Sequence, residues 1–325
     1  MFKTAAKILA ATVGIESNRP ELLPPLPCSI EVKSLLTDFN HIEKIAYSEN
    51  LDGFIILEES NRQPSYTYNG RKQKFKCKGQ LLKLTQQASD LRFSFWGNQG
   101  LLYRFVLYLL EKKHQIYNFH ASALYHPEQD KLFIIMGGAG SGKSVYLLSG
   151  IIKGLKLFST ETVHFQIKES NLIWYMGSLV DNVRWGTLIY NFPQFLPEGK
   201  HSPGKEAWHK KVALNLNSYK YRQDKLVNPA SVIIIIPHIE EERHDFYFLP
   251  IKDKKKAAKE IFDNISQKLT ETVLLYDCLP LLGLDERELA QKRLETVYTL
   301  LQHKTLIQTV SVVSNPENCW RNLLK

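Results

Sequence analysis

The sequence predicts a mixed α/β protein with a smaller, mainly β N-terminal region. From residue 119 onward, apolar strand-like runs alternate with amphipathic helical runs, which is typical of an α/β core. Before residue 100, short β-rich runs separated by turn residues prevail. A glycine-rich segment lies directly between an apolar strand and a helix in the second region. We therefore expect a β accessory or substrate domain over residues 1–115 and an α/β domain over residues 116–325.

The N-terminal region is expected to begin with a strand or helix. Residues 1–15 fit a signal peptide less well, because Lys7 interrupts a short apolar run. Residues 19–27 contain four prolines and predict an extended connector. Strands are predicted at residues 30–32, 53–57, 65–68 and 75–77, with a two-residue hairpin turn at Asn69 and Gly70.

The remaining elements follow from changes in hydrophobic period. Residues 100–117 carry a broad apolar face at helical spacing, near the expected domain boundary. A helix over residues 143–154 should stop at Gly154. Strands are predicted at residues 132–136, 155–158, 162–167, 172–176, 231–236 and 246–249, and helices at about 253–275 and 284–303.

Composition restricts the classes of partner and compartment. The 325-residue chain has 42 basic and 33 acidic residues, and a net charge of +9 favours anionic partners or serves solubility alone. The lysine run over residues 252–259 has no interleaved aromatic residues, which argues against nucleic acid. Four widely spaced cysteines make neither a metal site nor a disulfide scaffold, so we expect a cytoplasmic location. No apolar run approaches the roughly 20 residues that span a bilayer.

The glycine-rich segment has the Gly-x4-Gly-Lys-Ser spacing of a phosphate-binding P-loop, or Walker A motif. It consists of Gly137, Gly138, Ala139, Gly140, Ser141, Gly142, Lys143 and Ser144. Glycines let successive backbone N–H groups point at phosphate oxygens, and the N-terminus of the following helix adds partial positive charge. Lys143 should reach the β and γ phosphates, and the Ser144 hydroxyl should ligate Mg2+. The pattern predicts nucleoside triphosphate binding, but kinases, ATPases and GTPases share it.

The flanks of this loop resemble the HPr kinase/phosphorylase-related family. Residues 118–124 read Asn-Phe-His-Ala-Ser-Ala-Leu ahead of the loop, and residues 153–158 read Lys-Gly-Leu-Lys-Leu-Phe after its helix. The resemblance covers roughly residues 115–190. It implies a mixed P-loop core of the phosphoenolpyruvate carboxykinase type, with ATP and Mg2+ as cofactors. It also implies a homo-oligomer, since members of the family often form oligomers.

The resemblance assigns three positions near the loop. In the family, the strand after the P-loop helix ends in two aspartates, one of which exchanges a proton with the acceptor hydroxyl. Glu161 matches the second carboxylate, whereas Thr160 replaces the first. Glu161 is therefore the candidate base and a candidate metal residue. His120 matches the family histidine ahead of the loop, where it could bind phosphate, assist proton transfer, or simply be satisfied by the backbone.

A later segment adds candidates for the metal and the transferred phosphate. Residues 181–186 resemble the family's Glu-hydrophobic-Arg-Gly segment. Asn182 matches the metal-binding glutamate, and Asp181 beside it could supply the missing charge. Arg184 matches the family arginine and could neutralise charge on the transferring phosphoryl group. Asp181 and Arg184 could instead form a local ion pair.

Three functions stay open at this point. The first is a kinase that transfers the γ-phosphate of ATP to a hydroxyl group on a protein, a peptide or a small metabolite. The second is a nucleotide-binding regulator with weak catalysis, which Thr160 favours. The third is an NTPase. The polar segment at residues 198–205 could carry Lys205, Lys210 and Lys211 toward a substrate, or could be an ordinary connection.

Overall fold

The computed structural model describes residues 1–24, 26, 39–40, 42–88, 90–138, 140–196, 204–238, 247–313 and 316–324. It is a mixed α/β structure with several sheets and, within those ranges, seven α-helices. The chain divides into two compact units. Unit 1 comprises Met1–Tyr117 and Ser266–Gln291, and unit 2 comprises Asn118–Ile265 and Lys292–Lys325.

Strands and helices alternate irregularly along the chain. The strands are β1 (Phe2–Ile8), β2 (Ala11–Ser17), β3 (Ile42–Ile45), β4 (Gly53–Glu59), β5 (Ser65–Asn69), β6 (Lys74–Gly79), β7 (Tyr117–His126), β8 (Lys131–Met136), β9 (Lys156–Ser159), β10 (Thr162–Lys168), β11 (Asn171–Tyr175), β12 (Val180–Arg184), β13 (Lys211–Asn215), β14 (Lys225–Val227), β15 (Ser231–His238), β16 (Tyr247–Pro250), β17 (Val273–Leu275), β18 (Leu279–Leu281) and β19 (Leu306–Val313). The helices are α1 (Leu81–Gln87), α2 (Leu101–His114), α3 (Lys143–Ile152), α4 (Trp185–Asn191), α5 (Lys254–Thr270), α6 (Arg287–Leu301) and α7 (Pro316–Leu323).

Unit 1 is built on a six-stranded sheet with the order β3-β1-β2-β4-β6-β5. Strand β4 runs parallel to both of its neighbours, whereas β1 with β2 and β5 with β6 form antiparallel pairs. Helix α2 is apolar around almost its whole circumference, and residues 101–111 are all buried. Such a helix belongs in a core rather than at a surface.

The segment 266–291, which the sequence analysis grouped with the C-terminal domain, is part of unit 1. Arg104 on α2 is buried, and its Nη1 donates to the carbonyls of Lys268 (2.6 Å) and Glu271 (3.0 Å). Because a buried guanidinium must have its donors satisfied, these bonds fix the segment against α2. The Tyr276 Oη accepts from the Phe95 N–H at 3.1 Å and adds a second connection.

Unit 2 contains the larger sheet, in which β14-β11-β10-β7-β8-β15-β19-β16 are neighbours and β9 also pairs with β7. At its centre, β8 has the antiparallel strand β7 on one side and the parallel strand β15 on the other. Strand β15 also runs parallel to β19. The central strands are apolar and β-branched, as expected of strands covered on both faces.

The β5–β6 hairpin turn differs from the prediction. The hairpin exists, but Asn69 pairs with Lys74, so the connection has four residues instead of two. The Asn69 Oδ1 accepts the backbone N–H groups of Arg71 and Lys72, both at 3.1 Å. The asparagine therefore uses its side chain to cap the turn, instead of taking a position within a tighter turn.

The predicted helix at 253–275 was too long at its C-terminal end. Helix α5 stops at Thr270, and Val273–Leu275 forms β17, which pairs with β18. The β-branched side chains of Thr270, Thr272 and Val273 favour an extended chain over a helix. The predicted strand at residues 30–32 lies outside the described residues.

The other predicted strands and helices in the described ranges are present, with ends that shift by a few residues, whereas the connector expected to be extended contains a short 3-10 helix at Pro20–Leu22. Several elements were not predicted, chiefly the β12–β13 pair with α4, the strand β19 and the terminal helix α7. Of the strand and the helix that we considered for the N-terminus, the structure has a strand, β1, which forms a hairpin with β2. Within the described residues, every helix is too short or too polar to cross a membrane.

We predict that Trp320→Ala lowers the free energy of unfolding by about 3–5 kcal/mol, the usual cost of removing a large core aromatic. Trp320 on α7 is fully buried, its ring centroid lies 5.2 Å from that of Phe133, and its Nε1 donates to the Tyr146 carbonyl on α3. Urea denaturation measures the loss. The exposed neighbour Arg321 provides the control, because Arg321→Ala should change stability by less than about 0.5 kcal/mol. Equal effects of the two substitutions would contradict this account of α7.

Candidate functional site

The glycine-rich loop joins the end of β8 to the start of α3, which is the strand–loop–helix order expected from the sequence. Gly137, Gly140 and Gly142 have φ angles of +152°, +85° and +89°. These values lie in the region that only glycine adopts without strain. Ala139 lies outside the described residues. The glycines at these three positions are therefore explained by backbone conformation.

Lys143 is the first residue of α3, and its side chain turns back over the loop. The side chain is buried, and its Nζ donates to the carbonyls of Gly137 (2.7 Å) and Gly138 (3.0 Å). A Cβ atom built at Gly138 or Gly140 would meet nothing within 4 Å, so there is open space beside the loop. The loop thus combines a positive charge, a helix N-terminus and adjacent free volume.

Asp181 on β12 reaches the same loop from another strand. Its side chain is buried and accepts a hydrogen bond from the Ser144 hydroxyl. Burial, followed by the negative charge of Glu161, raises the pKa of Asp181 to about 7, although Ser144 and Lys143 act in the opposite direction. Within the described residues, the Asp181 Oδ2 atom accepts no hydrogen bond. A buried carboxylate oxygen that accepts no hydrogen bond is suited to bind a cation.

His120 and Glu161 meet at the beginning of the loop. Ala121 on β7 pairs with Met136 at the end of β8, so the register brings His120 beside the first loop residue. The Ala121 N–H donates to the Glu161 carbonyl at 3.0 Å. The His120 Nε2 lies 3.5 Å from the Glu161 Oε2, close enough for an ion pair when the imidazole is protonated.

A side chain from α5 fixes the backbone of His120. The Asn264 Oδ1 accepts the His120 N–H at 3.0 Å, and the Asn264 Nδ2 donates to the His120 carbonyl at 3.1 Å. Sequence reasoning missed Asn264. It lies 144 residues from its partner in the chain, and an asparagine within a helical pattern gives no local signal of such a contact.

Thr160, at the position where the resemblance led us to expect an aspartate, is part of the packing. It is buried, and its hydroxyl lies 2.8 Å from the Val180 carbonyl and 3.2 Å from the Ser178 carbonyl. Its N–H also donates to the Ser178 carbonyl at 2.8 Å. Two carbonyl oxygens around the hydroxyl call for a donor, which an ionised aspartate does not offer. Thr160 thereby holds the start of β12, one residue before Asp181.

A close backbone approach accompanies this connection. A Cβ atom at Gly177 would lie 1.5 Å from the Thr162 carbonyl oxygen, so only glycine fits there. The Ser178 Oγ lies 3.0 Å from the Val180 carbonyl and accepts the Val180 N–H at 3.2 Å. The turn before β12 is therefore docked onto the end of β9, which aligns Asp181 with the loop.

The two other predicted residues of β12 do not join this cluster through their side chains. Asn182 is half-buried and Arg184 is exposed, whereas Asp181 and Val183 are buried. Successive strand residues point to opposite faces, so Asn182 and Arg184 share the face away from Asp181. Asn182 contacts the Asp181 carboxyl group through its backbone N–H, which lowers the pKa of Asp181. The structure thus brings together Lys143, Ser144, Asp181, Glu161 and His120, but not Asn182 and Arg184.

No protein-family model matches this chain, and no curated protein shows significant similarity to it. The resemblance to the HPr kinase-related family consequently stays a prediction that depends on the residues around the loop. Within the described ranges, no group of three or more His, Cys, Asp or Glu side chains is arranged to hold a metal ion. A nucleotide-bound Mg2+ does not need such a group, since it typically takes one or two protein ligands plus phosphate oxygens and water.

We predict that Thr160→Val lowers the free energy of unfolding by about 0.5–1.5 kcal/mol, because the hydroxyl no longer donates to the Val180 and Ser178 carbonyls while the side-chain shape is kept. Chemical denaturation measures this. Thr160→Ser is the matched control, since it retains the hydroxyl, and it should lose less stability than Thr160→Val. The prediction is wrong if the two variants are equally stable.

We predict that stability depends on pH through Asp181 in the protein without nucleotide or magnesium. Its folded-state pKa of about 7 exceeds the ordinary value of 3.8, so the folded state keeps a proton that the unfolded state has released. The free energy of unfolding should therefore fall as the pH rises between those two values. Asp181→Asn removes the titrating group, so its stability relative to the wild type should rise across this window in urea titrations. Parallel pH profiles for the two proteins would count against a raised pKa.

Proposed function

We propose that this protein is an ATP-dependent, Mg2+-assisted kinase that transfers the γ-phosphate to a hydroxyl group, with an HPr kinase-like core of the phosphoenolpyruvate carboxykinase type. The observation that carries the proposal is the convergence of Lys143, Ser144, Asp181, Glu161 and His120 on one glycine-rich loop. Strands and helices follow one another around this loop in unit 2, which agrees with the mixed α/β core that the resemblance implies.

Nucleotide binding is supported by the loop itself. Its left-handed glycines and the start of α3 favour an anion, and the Lys143 ammonium lies at the loop, where it donates to the backbone carbonyls of Gly137 and Gly138. We propose that the triphosphate takes over this ammonium from the two carbonyls. The Lys143 ammonium would then lie against the β and γ phosphates, where its positive charge stabilises the negative charge that develops during transfer.

The residues present fit a Mg2+ ion. The Ser144 hydroxyl and the Asp181 Oδ2 are adjacent oxygen ligands of the type that Mg2+ prefers, and the Oδ2 accepts no hydrogen bond from the described residues. Ser144 and Asp181 would hold the ion beside the phosphates, where it would supply positive charge. The role proposed for Asp181 does not require the side chain of Asn182.

Glu161 is the proposed proton acceptor. Its side chain is about one-quarter exposed, so an acceptor hydroxyl can reach it, whereas Asp181 is buried. As the hydroxyl oxygen attacks the γ-phosphorus, Glu161 would take up its proton, the bond from that phosphorus to the bridging oxygen would break, and ADP would leave. The adjacent His120 would stabilise the Glu161 carboxylate between turnovers. Thr160 has no carboxylate, and its hydroxyl is bonded to the Val180 carbonyl. We therefore assign the role of base to Glu161, the next residue in the chain.

A nucleotide-binding regulator is the second candidate, with a simple NTPase as its variant. It is favoured by Thr160, which replaces a carboxylate that the family uses in catalysis. We also propose a cytoplasmic location, where the widely spaced cysteines of the sequence would stay reduced.

We predict that incubation with γ-labelled ATP, Mg2+ and a cell extract labels an acceptor, and that Lys143→Ala abolishes this labelling. Glu161→Gln should lower turnover roughly 100-fold or more while changing ATP affinity little, because a general base acts in the transition state. Release of free phosphate alone would favour the NTPase, and tight ATP binding without turnover would favour the regulator. An equal loss of turnover and ATP affinity in Glu161→Gln would exclude it as the base.

A further inference from the structure

The strands β12 and β13 form a separate two-stranded ribbon with two unlike faces. On one face lie Asp181, Val183, Val212 and Leu214, which are all buried. The other face begins with the buried Val180 but is otherwise half-buried or exposed, with Asn182 opposite Ala213 and Arg184 opposite Lys211. The ribbon therefore directs Asp181 toward the glycine-rich loop while it presents a polar surface on its other side.

Two positive charges face each other on this polar surface. Arg184 and Lys211 are directly opposite in the register, and both are exposed. Directly opposed side chains on one face lie within about 5.5 Å at Cβ, and like charges at such positions destabilise the pair. Among the described residues, no carboxylate forms an ion pair with either of them, whereas the neighbouring Lys210 pairs with Glu206. An anionic partner would relieve this repulsion.

Two stacked aromatic rings adjoin this charged pair. The rings of Tyr190 and Trp208 are 5.7 Å apart at their centroids and tilted by 15°, although the residues are 67% and 46% exposed. The Trp208 ring lies on Gly186, where a Cβ atom would be 2.4 Å from it. Two backbone bonds continue the pairing of the ribbon, from the Trp185 N–H to the Lys210 carbonyl (3.1 Å) and from the Gly186 N–H to the Ala207 carbonyl (2.8 Å).

These bonds hold the aromatic pair next to the charged pair. Gly186, which carries the Trp208 ring, is two residues from Arg184 in the chain, and Trp208 is three residues from Lys211. We call Arg184, Lys211, Tyr190 and Trp208 together the acceptor face. It combines two exposed cations, which form no ion pair within the described part of the chain, with an exposed aromatic surface.

We propose that the acceptor face binds an acidic peptide segment that carries the hydroxyl to be phosphorylated. This inference rests on the proposed kinase function and names the class of its substrate. Carboxylates of the peptide would bind Arg184 and Lys211, as the net charge of +9 also favours. An apolar or aromatic side chain of the peptide would pack on Trp208 and Tyr190. Arg184 thereby determines specificity for the acceptor, in place of the phosphoryl role that the resemblance implied.

Peptide binding without nucleotide tests the acceptor face by itself. The probe is a fluorescein-labelled octapeptide of four glutamates, two serines and two tyrosines, followed by anisotropy with the full chain. We expect saturable binding that weakens at least tenfold when glutamine replaces every glutamate. Lys211→Gln and Trp208→Ala should each weaken it at least fivefold. Lys225→Gln, which changes another exposed strand lysine of unit 2, should not.

Three outcomes would overturn the inference. They are no saturable binding of the acidic peptide, equal affinity for its glutamine version, and equal losses in Lys211→Gln and Lys225→Gln. Equal affinity for a single-stranded octanucleotide would also overturn it, by showing general attraction of anions.

Calorimetry with Mg-ATP on wild type and Lys211→Gln separates the two proposals. If ATP binds equally to both but the peptide binds to neither, the acceptor inference fails alone. If the peptide binds as expected but ATP does not bind, the kinase proposal fails.

Discussion

The contact between the Asp181 side chain and the Ser144 hydroxyl joins the β12–β13 ribbon to the glycine-rich loop and the start of α3. Asp181 is buried, and a buried carboxylate is costly unless hydrogen bonds and positive charge compensate it. Ser144 and Lys143 supply part of that compensation from the start of α3. The ribbon, the loop and the helix must therefore keep their mutual alignment, although they are separated along the chain.

Several further features make sense as supports for this alignment. Thr160 and Gly177 dock the turn before β12 onto the end of β9, and Asn264 fixes the backbone of His120 beside the loop. None of these three residues carries out chemistry in the proposed reaction. They determine where Asp181, Glu161 and His120 lie, and an error of about 1 Å at such positions can be costly for catalysis.

The sequence predicted the parts of the site that local rules determine. The order of β8, glycine loop and α3 follows from a short apolar run, a known spacing and a helical period. The buried helix α2 and the strand β15 were also evident, because their apolar patterns are strong. Glu161 and His120 were selected through the resemblance, and the structure brings them to within 3.5 Å of each other.

What the sequence could not predict depends on contacts between distant segments. The β12–β13 pairing joins residues about 30 positions apart, and the contact of Thr160 with Val180 spans 20 positions. Because the sequence did not predict this pairing, it could not show that the Asp181 side chain faces the glycine-rich loop and the Asn182 side chain faces away from it. The four-residue turn after Asn69 was missed for a different reason, since a side-chain cap there outweighed the usual preference for a two-residue turn.

The most direct test of the central claim is a calorimetric titration of ATP into the wild-type protein and Asp181→Asn, each with and without Mg2+. The account predicts saturable binding of one ATP per chain that Mg2+ strengthens in the wild type. In Asp181→Asn the strengthening should be largely lost, because the amide replaces the charged oxygen beside Ser144. Absence of binding heat with either ATP or GTP would contradict the account, as would an undiminished Mg2+ effect in the variant.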